Sequence, residues 1–302
     1  MTIGSARAER FSGHESFICR YGWLPKIYRA VLNNPSILRD EKQAMVVLGI
    51  GRNMVKSLQF WAEATGVIES ACDGHAPGPV GVRLFGDAWD PYLESPESLW
   101  LIHWQLSTRA GLAAWNEVFG EGQLIRFERT RLIQALGQRS VHLARPLAPS
   151  TLEQHASLFI QSYLPSEKNA DDTAWCPLQD LGLLKSTKTE DGRTLYSTDI
   201  HVQVGLTPRV FALALVDFLL GQKLSGTADF NSILKGDYSP GVVFRLSEHQ
   251  LSLLIERTID GPLRGALRFV DTADTQSIVL TSNQLDPQFR LWQQEEKALE
   301  NA

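Results

Sequence analysis

The stretch LGIGRNMVKSLQFWAEATGVIE, residues 48–69, decides the fold. It runs from an apolar segment through two glycines into a segment of helical periodicity. A dinucleotide loop is one reading, because VVLGIGRNM opens like strand, G-x-G, helix. There Met54 stands where the third glycine of the fingerprint should allow close helix–strand packing. No regular βαβ unit surrounds it either. A helix-turn-helix is the second reading and the preferred one. Asp40 can cap a helix over EKQAMVVL. Gly49 ends that helix where a left-handed residue costs least, and Gly49-Ile50-Gly51 launches a second helix from about Arg52 to Gly66. On that helix Val55, Leu58 and Ala62, with Met54 and Trp61 beside them, form the inner face. Arg52, Lys56, Gln59 and Glu63 make an outward polar stripe, with Asn53 and Ser57 on its flank.

Arg, Lys, Asn, Gln and Ser are the side chains that reach phosphates and base edges. Here they gather in the half of a recognition helix that enters the major groove. Candidate DNA contacts are therefore Arg52, Asn53, Lys56, Ser57 and Gln59. GVIES and VGVRLFGD read as strands of a wing over residues 67–85, with Arg83 placed to touch a phosphate. The plain alternative stays open: an amphipathic helix with a solvated face, or a winged helix that binds protein.

The wider chain sets limits on that choice. A length of 302 residues suggests two or three compact units. The formal charge of −5 excludes a wholly basic nucleic-acid coat. Residues 1–92 carry ten Lys/Arg against nine Asp/Glu, and the remainder nineteen against twenty-five. Nucleic-acid contact must then be local, most plausibly near the N-terminus. Cys19, Cys72 and Cys176 are odd in number and scattered, as in a reducing cytoplasm. No apolar run reaches the ~18 residues of a membrane helix, and the first residues show no secretory signal.

Four regions follow: a winged helix-turn-helix over 1–92, a helical core over 93–145, a helix–hairpin module over 146–236 and another with a frayed tail over 237–302. The expected fold class is mainly α with small β-hairpins (α+β), as tandem winged-helix-like modules around a helical core. Ser95-Pro96 starts SLWLIHWQLSTRAGLAAWNEVF, apolar on most faces and so a buried central helix. RFERTRLIQALGQR reads as an amphipathic, basic helix. Ser150 and Glu153 form a capping box, as do Ser247 and Gln250. Asp191-Gly192 marks a hairpin turn. Trp89, Trp100, Trp104 and Trp115 suggest a large aromatic cluster, read as core.

Chemistry is harder to find. No P-loop, G-x-S-x-G, kinase set or paired zinc motif is present. In FSGHESFICRYGWLPK, residues 11–26, His14, Glu15 and Arg20 sit between aromatics. An acid/base or ligand role for His14 is one reading. The favoured one has Phe11, Phe17 and Trp23 anchoring the segment across the helices while the polar three satisfy buried groups. Cys72 lies three residues before His75 and is read as part of an exposed loop, not a nucleophile pair. Asp171-Asp172 and Glu190-Asp191 read as turn acids, and no cofactor, metal or catalytic residue is assigned.

The order LG-I-x-R-x-x-V-x-x-x-L…G-V-I resembles winged helix-turn-helix regulators of the bacterial GntR type over about twenty residues, with Gly51 where a small polar residue is usual. Repressors of that class commonly bind two half-sites as dimers, so a homodimer is an open expectation. FSGHESFICRYGWLPK, LGIGRNMVKSLQFWAEATGVIE, DPYLESPESLWLIHWQL and CPLQDLGLL, in that order, resemble the bacterial domain-of-unknown-function family numbered 4007, across residues 11–290 or so. That resemblance implies a cytoplasmic bacterial protein encoded beside phosphoadenosine-phosphosulfate-reductase-like proteins in DNA sulfur-modification or phage-defence loci. Two functions follow as expectations. One is a non-catalytic accessory or regulatory protein that binds double-stranded DNA beside a sulfur-transfer or defence enzyme. The other is a protein-interaction scaffold for a reductase-like partner, without DNA contact. An enzyme using His14, Glu15 and Arg20 is the third and weakest.

Overall fold

Asp40 caps α2 (Glu41–Leu48) as expected, its carboxylate accepting the Gln43 N–H at 3.0 Å. Gly49 follows at φ 64°, ψ 30°, the left-handed conformation that spares a Cβ its clash with the backbone. Gly51 then opens α3 (Arg52–Ala64). Val55, Leu58, Trp61 and Ala62 are buried on it. They face α1 (Trp23–Asn33), which buries Trp23, Ile27, Tyr28 and Val31 at helical spacing. The computed structural model describes residues 9–165, 175–199, 203–221, 227–271, 276–281 and 289. The tail beyond 290 and the pair Asp171-Asp172 lie outside the described residues.

After α3 comes an antiparallel hairpin, β1 (Ile68–Ala71) and β2 (Gly74–Pro77). The sequence places the second wing strand in VGVRLFGD. That segment is helical instead, one turn of α-helix (α4, Pro79–Gly81) running into a π-helical turn, Val82–Gly86. Pro79 at the first helical position presets the helical φ, and Leu84 turns into the core. The pairing partner of β1 comes from the Gly/Pro-rich stretch that the sequence presents as a loop.

The hairpin is docked through Gly74. Its φ is 137°, and a Cβ there would stand 2.2 Å from the Pro35 carbonyl oxygen. The neighbouring His75 N–H donates to that same oxygen at 2.9 Å. We expect Gly74→Ala to lift the hairpin from Pro35 and lower unfolding stability by about 2 kcal/mol or more. Urea denaturation checks this, and a loss within a few tenths of a kcal/mol would contradict the docking.

The next residues form two sets of elements, each with one short strand among helices and a closing pair of strands. α5 (Pro96–Thr108), α6 (Ala113–Phe119), β3 (Arg126–Glu128), α7 (Arg129–Ser140), α8 (Pro149–Tyr163), β4 (Lys185–Lys188) and β5 (Thr194–Ser197) come first. α9 (Pro208–Gly221), β6 (Thr227–Asp229), α10 (Phe230–Lys235), α11 (Pro240–Val243), α12 (Glu248–Asp260), β7 (Leu267–Asp271) and β8 (Gln276–Leu280) follow. Each set closes a three-stranded antiparallel sheet, in the order β3-β5-β4 and β6-β8-β7. The fold is thus mixed α+β, with small antiparallel sheets set among helices.

Several local expectations change in the structure. β3 occupies the start of RFERTR, and β6 precedes α10; both are three-residue strands, too short to show alternation in sequence. They pair with β5 and β8, reaching across positions 145 and 236, where the sequence suggests breaks. The single long central helix is two, parted around Gly111, whose φ is 67°. The capping box at Ser150 does not form, because α8 starts at Pro149 with Ala148 as its cap residue. The Ser247–Gln250 box does form, and the hairpin around Asp191-Gly192 is β4–β5.

α5 and α9 are buried around nearly their whole circumference, as helices apolar on every face must be. Trp100, Trp104 and Trp115 are fully buried, while Trp89 is half-buried under the Arg209 guanidinium, 3.8 Å from the ring centroid. One polar chain crosses this core. Trp115 Nε1–H donates to the Tyr163 hydroxyl at 2.8 Å. That hydroxyl donates to His103 Nδ1 at 2.7 Å, and His103 Nε2–H donates to the Val243 carbonyl at 2.9 Å. The carbonyl can only accept, which fixes the His103 tautomer. The chain ties α5, α6, α8 and α11 together with its buried polar atoms satisfied.

Candidate nucleic-acid interface

Only part of the outward stripe on α3 stays outward. Arg52, Asn53 and Lys56 are exposed on its first two turns. Arg52 Nε lies 2.7 Å from Glu41 Oε1, with both side chains well exposed. A surface pair of this kind contributes about 0–1 kcal/mol, so Arg52 can leave it for a phosphate at small cost. Lys42, exposed on α2, and Arg39, exposed just before it, add charge to the same approach to the turn. Neither belongs to the α3 stripe that the sequence singles out; their place ahead of the Asp40 cap and in the first turn of α2 is the local signal for them.

Ser57 and Gln59 are placed otherwise than the sequence suggests. Ser57 is fully buried, its hydroxyl donating to the Phe17 carbonyl at 3.3 Å. The Trp61 indole N–H donates to that carbonyl at 2.9 Å. The segment FSGHESFICRYGW therefore lies across the flank of α3 and covers its later turns. Gln59 is half-buried and donates to Glu63 Oε1 at 2.9 Å, which also receives His75 Nε2–H at 3.0 Å. Gln59, Glu63 and His75 thus fasten α3 to the hairpin. Arg83 sits on the π-helical turn, not on a wing strand, and lies 3.6 Å from Asp87 one turn on. Cys72 is exposed at the hairpin turn, where the Arg39 guanidinium donates to its carbonyl at 2.8 Å. The His75 ring is turned to Glu63 and Gln59.

His14, Glu15 and Arg20 each have different surroundings. His14 is buried against Phe60 and the ring of His155. The Ala114 N–H donates to His155 Nε2 at 3.1 Å, so the neutral ring carries its proton on Nδ1, 3.5 Å from His14 Nε2. Burial pulls His14 down to about 4 and His155 to about 3. Both rings are then neutral and poor proton carriers near pH 7. Glu15 is exposed in a left-handed turn at φ 48°, and the Arg20 guanidinium lies over Phe17 and Trp23. This is the anchoring arrangement, with the segment held by its aromatics.

Acidic groups do converge at one place. Glu9, Glu117 and Glu121 all pair with Arg139, whose guanidinium holds the centre of the trio. Among the described residues no group of three or more His, Cys, Asp or Glu side chains could hold a metal ion. None of the described helices is long and apolar enough to cross a membrane.

The architecture is known from solved structures. "Magnesium ion-bound SspB crystal structure" superposes with a TM-score of 0.82 at 24% identity, over 98% of this chain and 89% of that one. "SspB crystal structure" superposes with a TM-score of 0.79 at 23% identity, over 99% and 91%. At that identity the likeness shows a shared fold. No curated protein matches the chain significantly. The family model for DUF4007, described as a protein of unknown function, matches residues 11–294, and the chain belongs to that family.

Proposed function

We propose that this chain is a DNA-binding winged-helix accessory or regulatory protein of a bacterial DNA sulfur-modification or phage-defence system. It acts by binding and positioning rather than through a catalytic centre of its own. The observation that carries the reading is the free N-terminal half of α3. Arg52, Asn53 and Lys56 project there just after a tight turn, with a hairpin following the helix. Helix, helix, hairpin in that order, and the two later sets of helices with a three-stranded sheet, fit winged-helix modules. The modification or defence setting, and a sulfur-transfer or defence enzyme as partner, come from the family resemblance. The DNA contacts in this reading are Arg39, Lys42, Arg52, Asn53 and Lys56; buried Ser57, half-buried Gln59 and Arg83 on the π-helical turn lie outside them.

The reading is tested by fluorescence anisotropy of duplex DNA across a salt series. Wild type should bind more weakly as salt rises. Arg52→Ala/Lys56→Ala should bind about tenfold or more weakly and lower the salt slope by about 2, one unit for each lost phosphate contact. Binding of equal strength in wild type and variant would remove α3 from the interface. No binding at low salt would favour the second reading, a scaffold for a reductase-like partner. Val46 and Val47 on α2, 82% and 54% exposed, favour that alternative as an apolar patch beside the turn.

A further inference from the structure

A hollow of about 390 Å³ opens between α1, the end of α2 and the loop after the π-helical turn. Lys26, Arg29, Asn33, Val47, Leu48 and Tyr92 line it. Tyr92 is 63% exposed, an unusual position for so large a ring. It is also held there firmly. The Asp90 carboxylate accepts the N–H groups of Glu94 and Ser95 at 3.0 and 2.9 Å, closing the loop around Tyr92. Leu93 next to it is buried in the left-handed conformation, φ 62°, a strained setting for a leucine. The Arg29 guanidinium lies 5.3 Å from the Tyr92 ring centroid.

The two cations of the hollow stand one helical turn apart on α1 and meet carbonyls, not carboxylates. Lys26 Nζ donates to Leu48 O at 3.3 Å, and Arg29 to Pro91 O at 3.4 Å. Neither has an acidic partner among the described residues. A firmly presented aromatic ring flanked by two unneutralised cations is the chemistry that takes a stacked base and its phosphate. Leu48 is four residues from Arg52, at most about 14 Å of extended chain, so the hollow adjoins the helix proposed on duplex DNA.

We propose that this hollow receives an unpaired nucleotide of a DNA strand, its base on Tyr92 and its phosphate at Lys26 and Arg29. The proposal rests on the DNA reading of α3 and extends it to a junction between paired and unpaired DNA. The test compares three probes: a blunt duplex, the same duplex with a short single-stranded overhang carrying 2-aminopurine, and a free mononucleotide. The overhang duplex should bind about tenfold tighter than the blunt one, with 2-aminopurine fluorescence quenched by stacking. Tyr92→Ala should abolish the preference and the quenching while leaving blunt-duplex affinity unchanged, and Tyr92→Phe should keep both. Lys26→Ala/Arg29→Ala should reduce the preference and make what remains of it less sensitive to salt.

Binding of blunt and overhang duplexes with equal affinity would overturn the hollow's role and leave the α3 reading intact. An overhang preference that survives Arg52→Ala/Lys56→Ala, alongside unchanged blunt binding, would support the hollow while removing α3. Mononucleotide binding as tight as overhang binding would overturn the strand assignment. Displacement of the overhang by polyglutamate, independent of Tyr92, would overturn it in favour of an acidic protein partner.

Discussion

Lowering the pH from 7 to 4.5 is expected to cost this protein most of its stability, with uptake of two to three protons on unfolding. His14, His103 and His155 are 3%, 0% and 0% exposed. Burial lowers their pKa values to about 4, about 3 and about 3 from an ordinary 6.5. In the unfolded chain each ring takes its proton as the pH falls through about 6.5, while in the fold each stays neutral until far lower. A depressed folded pKa therefore contributes stability that is whole above the unfolded value. It is lost as the pH falls from about 6.5 toward 4 and 3. The loss is about 1.4 kcal/mol per pH unit for each ring. Two rings at pH 4.5 amount to roughly 5 kcal/mol and three to roughly 8, against a typical total of 5–15. His14 and His155 face each other, so charging one opposes charging the other in any partly open state.

Urea midpoints measured between pH 7 and 4.5 check this. The native protein should show three histidine rings whose NMR shifts stay constant down to pH 5. A titration of all seven histidines near 6.5 would refute the assignment. His103→Gln should lower the slope of stability against pH by about one proton while weakening the fold at pH 7. The weakening follows because Tyr163 and the Val243 carbonyl lose their present partner.

Asp217→Asn should destabilise the protein by about 3–5 kcal/mol, the largest single-substitution effect expected. Asp217 lies on α9 with its side chain 3% exposed, against Arg109 at 10%. Its Oδ2 accepts from the Trp104 indole at 2.8 Å and from Arg109 Nε at 3.2 Å, and its Oδ1 pairs with the Arg109 guanidinium. The amide oxygen that replaces Oδ2 can still accept from Trp104, but the amide NH2 then faces the Arg109 guanidinium donor, so the loss combines the missing counter-charge with a missing acceptor. Arg109→Met added to Asp217→Asn removes that guanidinium and should restore most of the stability. Thermal or urea unfolding of the two variants decides it. A double variant no better than the single one would place the loss in packing instead.

The preference for neutral rings at His103 and His155 could not be read ahead of the structure. His155 lies in LEQHASLFIQSY, and its partner His14 is 141 positions away. The distinctive FSGHES segment invited a chemical reading because its polar residues are adjacent in sequence. In space His14 goes inward, Glu15 outward, and Arg20 onto aromatic faces. The candidate DNA helix was legible for the opposite reason. Asp40, Gly49 and Gly51 act on backbone groups within a few residues of themselves, so their effect is settled locally.

The sequence by itself determined the α+β class, the cap–turn–helix of residues 40–64, the Asp191-Gly192 hairpin and the Ser247 capping box. The class follows from the periodicity of whole segments, and the other three from capping and turn chemistry that acts over three or four residues. Tertiary structure decided which part of α3 remains open, because Phe17 accepts from Ser57 across forty residues of chain. It also decided that β3 and β6 exist at all. Three-residue strands have too little propensity to form alone and are held by pairing with β5 and β8. A helix face or a short strand is defined by what packs against it, and that partner comes from elsewhere in the chain.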